Sequence, residues 1–381
     1  MLKVCHIAPF YGEQYGGPER YVNTISPHQK KAGIDVTILT TTQSRKKAGI
    51  SEINGIKQVK IYSLKDIWHI NPVSFILNYL RKSKFDIIHI HSYLYFISNQ
   101  GVLFGKIKKI PTLLHLHGGI GLPPYQASTL KITTKAFYDK TLGRLTISHA
   151  NRIASVSKSD LRKVKIYYSV PEYRLIYIPN TINFKLFSNN HYYDLKDNDG
   201  TFSVLYIGDI EPWKGIGFLE EWIRKRRNNL NNKLNFRFVG QGSLSPRLKT
   251  LEKLCKNSNI TVDYLGSKPH KEIPRILAES QALILPSYWE GSPTVLLEAM
   301  AAKVPVITTP VGDIPQIIQN RKNGFLINHD FKSLENSIEF LINNPNRTKR
   351  IVIKAYKTIA RSFSSTIINR NLLKIYMHLV N

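Results

Sequence analysis

Apolar residues recur along this chain in short blocks separated by amphipathic stretches. In the first half, runs at 2–8 (LKVCHIA), 35–40, 57–62, 86–91 (DIIHIH), 112–116 (TLLHL), 152–156 and 175–178 predict strands. Segments of helical length lie between them at 18–32, 72–83 and 125–148. The second half repeats the alternation, with strands at 202–208, 234–239, 261–265, 282–285, 304–308 and 324–327. Helices are expected there at 215–227, 243–256, 270–279, 293–302, 313–320 and 331–342. Continuous apolar strands alternating with helices predict parallel sheets covered on both faces. The stretch 183–200 is polar, rich in Asn and Asp, and reads as a linker. Residues from about 346 to 381 carry no strand signal and predict two closing helices. A length of 381 residues suits two domains. The expected fold class is α/β, with two Rossmann-like doubly wound domains. Ligands would bind beyond the carboxyl ends of their strands.

Charge and cysteine content narrow the setting. The formal net charge is +28, with +18 in residues 1–190 and +10 in 191–381. Such a field attracts anions: nucleic acid, phosphorylated metabolites or an anionic membrane face. A solvated Lys- and Asn-rich surface accounts for the same charge. Two cysteines without a pairing pattern fit a reducing, cytoplasmic compartment. The N-terminus reads as a first strand and not a secretory leader. No apolar run reaches the roughly 18 residues of a spanning helix.

Candidate chemistry gathers at the predicted strand ends of the second half. After 202–208, Lys214 and a glycine open a helix, a place where an anion would meet both the ammonium and helix amides. After 282–285 comes SYWEGSPTVLLEAM, in which Ser292 suits an N-cap and Pro293 the first helical position. Glu290 then lies in the loop before the helix. Glu298 lies about a turn and a half inside it, on the face of Thr294. The two carboxylates would flank helix amides, a layout that suits a nucleotide-sugar. Taken alone they are better read as a dipole-favoured acid and a solvated one.

The surroundings add a resemblance. Glu290-Gly291-Ser292-Pro293, Glu298-Ala299-Met300-Ala301, Pro305-Val306-Ile307 and Gly312-Asp313-Ile314-Pro315 resemble, in order, the E-x7-E region of glycosyltransferase family 4. YIGDIEPWKG, FVGQGS, VDYLGS and YIPNTIN extend the match backward, and YGGPERYV, DIIHIHSY and PTLLHLHGG extend it into the first half. The resemblance implies a GT-B fold, two Rossmann-like domains facing across a cleft. Residues 1–185 would form an acceptor-binding domain, 186–200 a linker and 201–362 a nucleotide-sugar domain, with a helix at 363–381 packing back on the first domain. It also implies that Glu290 contacts the donor sugar, Glu298 the ribose and Lys214 the diphosphate. Gly291, Ser292, Pro293 and Thr294 would line the donor site, with His117 on the acceptor side of the sugar and Gly17 beside the phosphates. The sequence departs from the family pattern at Asp209, usually Arg, at Gln316, usually Glu, and at Lys303 and Thr181, usually Gly.

His89, His91, His115 and His117 alternate on two strand candidates and would share a face. No carboxylate or thiol completes a familiar ligand set, and no metal or other cofactor is expected. Asp197-Asn198-Asp199 follows polar linker and reads as linker. Basic runs at 44–47, 81–84, 105–109 and 161–168 suit an anionic membrane surface met at its inner face. No nucleic-acid-binding motif is present. The expected activity is retaining transfer of a hexose from a nucleotide-sugar to a hydroxyl of a glycan or lipid-linked acceptor. The alternatives are an epimerase or phosphorylase of the same architecture, or a non-catalytic basic binding protein.

Overall fold

In the computed structural model, residues 1–10, 17–67, 71–121, 129–188, 200–229 and 232–381 are described. They fall into two compact units. One comprises Met1–Thr181 with Ser365–Asn381, the other Ile182–Ser364.

The first unit is built on a sheet of β1 (Lys3–Phe10), β2 (Asp35–Thr42), β3 (Gly49–Ile53), β4 (Ile56–Tyr62), β7 (Ile87–His91), β8 (Thr112–Leu116), β9 (Arg152–Ser155) and β10 (Leu175–Tyr177). Between these, β5 (Lys65–Ile67) and β6 (Asn71–Val73) form a separate antiparallel pair. The strand order is β10-β9-β8-β7-β1-β2-β4-β3, parallel except for β3 on β4. Side chains alternate across this sheet. Cys5 and Ile7 enter one core, while Val4 and Ala8 enter the other. Helices Gly17–Lys31 and Ser365–Val380 cover the second face, contributing Val22, Ile25, Ile368, Leu372 and Tyr376. The strand order reverses at β1/β7, the switch point at which doubly wound sheets bind ligands.

The second unit holds β11 (Phe202–Ile207), β12 (Leu234–Val239), β13 (Ile260–Gly266), β14 (Ala282–Leu285), β15 (Val306–Thr308) and β16 (Phe325–Leu326). The order is β13-β12-β11-β14-β15-β16, all parallel, and it reverses at β11/β14. One continuous core contains Phe202, Trp222, Phe236, Phe238 and Met300. Helix Phe331–Asn343 is capped by Asp330, whose carboxylate accepts from Ser333 N at 2.7 Å, a contact worth about 1 kcal/mol.

Several elements differ from the sequence expectation. The helix expected at 72–83 is reduced to Leu77–Arg81, because Asn71–Val73 pairs as a strand. The segment 125–148 carries two helices, Thr129–Lys140 and Leu142–His149, with 122–128 outside the described residues. Helices Phe96–Lys108 and Lys158–Tyr168 were not expected. The first contains Gly101, a weak helix former, yet a Cβ there would come within 2.6 Å of Ile7 Cδ1. Of the expected linker, 189–199 lies outside the described residues, and so does Asp197-Asn198-Asp199. Residues 184–188 form a helical turn whose Phe187 is fully buried in the second unit's core.

Candidate active site

Three loops meet at the carboxyl ends of β11, β14 and β15. The loop after β11 ends in a 3-10 turn, Pro212–Lys214, and enters helix Ile216–Arg226 through Gly215. Gly215 has φ +74°, and a Cβ on it would sit 1.9 Å from the carbonyl oxygen of Pro286. Only glycine fits that approach. Tyr288 N donates to Trp213 O at 2.8 Å, tying the same two loops again. From the β15 side, Gly312 has φ +57°, and its Cβ would lie 2.0 Å from Glu290 O. Asp313 N donates to Gly291 O at 3.1 Å. The backbone around Glu290 is thus held from both sides.

Glu290 is buried, at 9% exposure. One oxygen, Oε1, accepts from Lys214 Nζ and from Ser287 Oγ, each at 2.8 Å. The Lys214–Glu290 pair therefore bridges the β11/β14 switch point. The Tyr206 hydroxyl donates to Asp209 O at 2.8 Å. Its pKa is held far above the usual range, first by burial and then by Glu290, Asp209 and Glu211. The side chain of Asp209 is exposed.

The helix after β14 runs Thr294–Ala301, with Pro293 extended at the N-cap position and no side-chain cap bond. It starts one residue later than expected, and Ser292 is not its cap, because Pro293 at ψ 119° lies outside the helical region. The first N–H groups of such a helix have no intrahelical acceptor. Glu298, one turn on from Thr294, is buried, and its Oε1 lies 2.8 Å from His270 Nε2. Phe187 meets the His270 ring edge-on at 5.7 Å.

In the first unit, His117 follows β8 directly, with Nε2 3.0 Å from His91 Nδ1. His6, His89, His91 and His115 are fully buried beside it on the same face of the sheet. Burial pushes these imidazoles down, His6 to about 4 and His115 to about 3, so they are neutral at pH 7. Nitrogens of His6, His89 and His91 lie within 4.8 Å of one another, as do those of His91, His115 and His117. Gly17 opens helix Gly17–Lys31, is exposed, and has open space where a Cβ would be.

Two family models match successive parts of the chain: Glycosyltransferase Family 4 over residues 15–186, and Glycosyl transferases group 1 over 192–358. The chain belongs to the family 4-type glycosyltransferases. An uncharacterized glycosyltransferase of Methanocaldococcus jannaschii is 27% identical over 308 residues, 79% of this chain and 80% of its own. An Escherichia coli UDP-Gal:alpha-D-GlcNAc-diphosphoundecaprenol alpha-1,3-galactosyltransferase is 28% identical over 275 residues, 68% of this chain and 67% of its own. Among solved structures, sucrose-phosphate synthase from Thermosynechococcus elongatus superposes with TM-score 0.75 at 17% identity, covering 100% of this chain and 99% of that one. Anabaena HepE in complex with UDP and glucose gives 0.72 at 16%, covering 100% of both chains. These glycosyltransferases share the GT-B fold with this chain.

Of the residues singled out from the sequence, the structure joins Lys214 to Glu290 and places Gly291, Ser292, Pro293, Thr294 and Glu298 in one stretch along the same loop and helix. Gly17 and His117 belong to the first unit. Sequence reasoning passed over Ser287, three residues before Glu290, and His270, which reaches Glu298 from another strand end. It also missed His6, although His6 shares the parity of Val4 and Ala8 on β1, which was the available signal. Among the described residues, no helix is long and apolar enough to cross a membrane.

Proposed function

We propose that this glycosyltransferase moves a hexose from a nucleotide-sugar to a hydroxyl of a glycan or lipid-linked acceptor, with retention at the anomeric carbon. The observation that carries this reading is the sorting of the two glutamates. Glu290 is locked to Lys214 and Ser287 across the β11/β14 switch point, and Glu298 sits on the following helix with His270. Two similar proteins support it: the Escherichia coli galactosyltransferase is named for UDP-Gal, and the structural neighbour HepE was solved with UDP and glucose.

Lys214 and the amides at the start of helix Thr294–Ala301 would stabilise the leaving diphosphate without a metal. Glu298 would accept the ribose hydroxyls through its second oxygen, Oε1 being engaged by His270. Glu290 and His117 would orient the sugar. No carboxylate is assigned as a nucleophile, so the acceptor would attack from the face the diphosphate leaves. The acceptor proton would pass to that diphosphate as the glycosidic bond breaks and the new one forms. Gly17 would leave room beside the phosphates.

The acceptor side suggests peripheral contact with a cytoplasmic membrane face. Leu130, Phe137, Leu145, Ile166 and Tyr167 are exposed on helices Thr129–Lys140, Leu142–His149 and Lys158–Tyr168, among Lys140, Arg144 and Lys165. Apolar tips among cations suit anionic headgroups.

The test is thermal shift across UDP-, GDP- and ADP-sugars, followed by transfer assays. One donor should raise the unfolding temperature, and Glu298→Ala should abolish that shift while the apo protein stays folded. An unchanged shift in Glu298→Ala would overturn the assignment.

A further inference from the structure

The buried histidines of the first unit form an ordered arrangement. Three ring pairs are hydrogen-bonded: His6 Nδ1 with His91 Nε2 at 3.0 Å, His91 Nδ1 with His117 Nε2 at 3.0 Å, and His89 Nε2 with His115 Nδ1 at 3.3 Å. The ring centres of these pairs are 5.3, 5.2 and 5.4 Å apart, with planes inclined by 24°, 29° and 8°. Those are rings joined edge to edge in nearly one plane. His89 and His91 instead lie face to face at 4.3 Å, and His115 and His117 at 4.5 Å. Two flat ribbons, His6–His91–His117 and His89–His115, are therefore laid one on the other. Rings joined this way aim their nitrogens at each other rather than at a common central point, as metal ligands would.

Two side chains from the covering helices join the ribbons at their far ends. Gln29 presents Oε1 to His6 Nε2 at 2.7 Å and Nε2 to the Tyr376 hydroxyl at 3.1 Å. That hydroxyl lies 2.6 Å from His89 Nδ1. A neutral imidazole has one N–H and one bare nitrogen, so each link sets the next. Gln29 Oε1 only accepts, so the proton of His6 is on Nε2 and its Nδ1 is bare. His91 must then donate from Nε2, and His117 from Nε2. In the other direction Gln29 donates to Tyr376, Tyr376 to His89 Nδ1, and His89 Nε2 to His115 Nδ1. Every link has one proton, and all run the same way from His117 to His115. The series leaves His117 Nδ1 bare at one end and a proton on His115 Nε2 at the other, and both atoms are buried without a hydrogen-bond partner among the described residues.

We propose that this series is a tautomer lock: Gln29 and Tyr376, acting through His6 and His91, hold His117 with its proton on Nε2 and an acceptor at Nδ1. Gln29, Tyr376, His6 and His91 are thereby positioning residues for the histidine assigned to the sugar, an inference that rests on that assignment. The chemical consequence is one of recognition. A bare Nδ1 suits a hydroxyl hydrogen, whereas the reversed series would turn it into a donor suited to an oxyanion or carbonyl. The low basicity that burial gives all five rings keeps the lock uncharged at neutral pH.

The full-length protein labelled with nitrogen-15 in its imidazoles tests this by long-range proton–nitrogen correlation at pH 7.5, with His117→Gln identifying the His117 signals. Wild type should show His117 with a pyridine-like Nδ1 and a pyrrole-like Nε2. Gln29→Leu should average His117 over both tautomers. Gln29→Glu, whose carboxylate still accepts from His6, should keep the wild-type His117 pattern. A protonated Nδ1 in wild type overturns the lock, and so does an unchanged single tautomer in folded Gln29→Leu. If Gln29→Leu does not fold, the wild-type and Gln29→Glu spectra decide. In transfer assays Gln29→Leu should lower turnover about tenfold, the worth of roughly one hydrogen bond, and Gln29→Glu by less than about twofold. Full activity in His117→Ala would instead sink the sugar-side assignment and leave the tautomer result standing.

Discussion

The two switch points of this glycosyltransferase solve the same problem with opposite chemistry. At β11/β14 a lysine and a glutamate, both largely buried, meet at 2.8 Å with a serine hydroxyl on the same oxygen. At β1/β7 the strands are crossed by neutral imidazoles, ordered by proton direction and not by charge. Buried charges need close, well-made partners, and the second unit supplies them through loops locked by glycine contacts. Buried neutral rings need hydrogen-bond partners but no counter-charge. The difference suits the proposed division of labour. One site would meet a diphosphate, and the other would meet a sugar, which carries hydroxyls and no net charge.

The largest effect expected to break this comparison is in the backbone of the second site. Gly312→Ala places a Cβ against Glu290 O in a strained conformation, and it should cost about 3 kcal/mol or more in denaturant unfolding. A cost under about 1 kcal/mol would mean the loops are not locked as described. Next, Lys214→Ala should reduce turnover by about 10²–10³-fold in a transfer assay while the protein stays folded. A variant within a few-fold of wild type would remove Lys214 from the diphosphate.

Acid should discriminate between the units. The folded-state pKa of the buried histidines is depressed, so the unfolded chain binds more protons below pH 6.5. Their stabilising contribution is present above the unfolded pKa near 6.5 and is lost as pH falls toward about 4. Each such histidine costs up to about 1.4 kcal/mol per pH unit in that window. Calorimetry from pH 7.5 to 5 should show the first unit losing stability, and a flat profile would contradict the burial of the rings. Tyr376→Phe, which leaves Gln29 Nε2 and His89 Nδ1 short of a partner, should cost about 1–3 kcal/mol. The smallest effect concerns the surface. Phe137→Ser should change stability by less than about 0.5 kcal/mol yet weaken sedimentation with anionic liposomes. No binding of wild type at low salt would end the membrane reading.

The sheets were legible in the sequence because central parallel strands are apolar on both faces, as the fully buried Thr112–Leu116 illustrates. Helix Phe96–Lys108 was not, since Gly101 and Gly105 weaken its propensity for the sake of close packing on Ile7 and Thr112. The exposed strand β3 was equally silent, having no buried face to write a pattern. In the site, Glu290 and Glu298 share one segment and Lys214 lies 76 positions before Glu290, and it was the ordered family-like motifs around them, not their spacing, that singled the three out. Ser287 and His270 act through contacts that spacing does not encode. Gln29 and Tyr376 are separated by 347 positions, and nothing local in either segment signals the other.

That separation has a consequence for biosynthesis. The hydroxyl that joins the two imidazole ribbons is carried by Tyr376, on a helix that follows Ile182–Ser364 in the chain yet completes the first unit. Chains emerge from the ribosome N-terminus first, and domains ordinarily fold as they appear. Here the unit begun first waits until the whole of the second unit has been made before its buried polar network is whole. A nascent chain stalled after the second unit would carry five unfinished histidines, and a nick that releases helix Ser365–Val380 would damage a site whose other parts were made more than two hundred residues earlier.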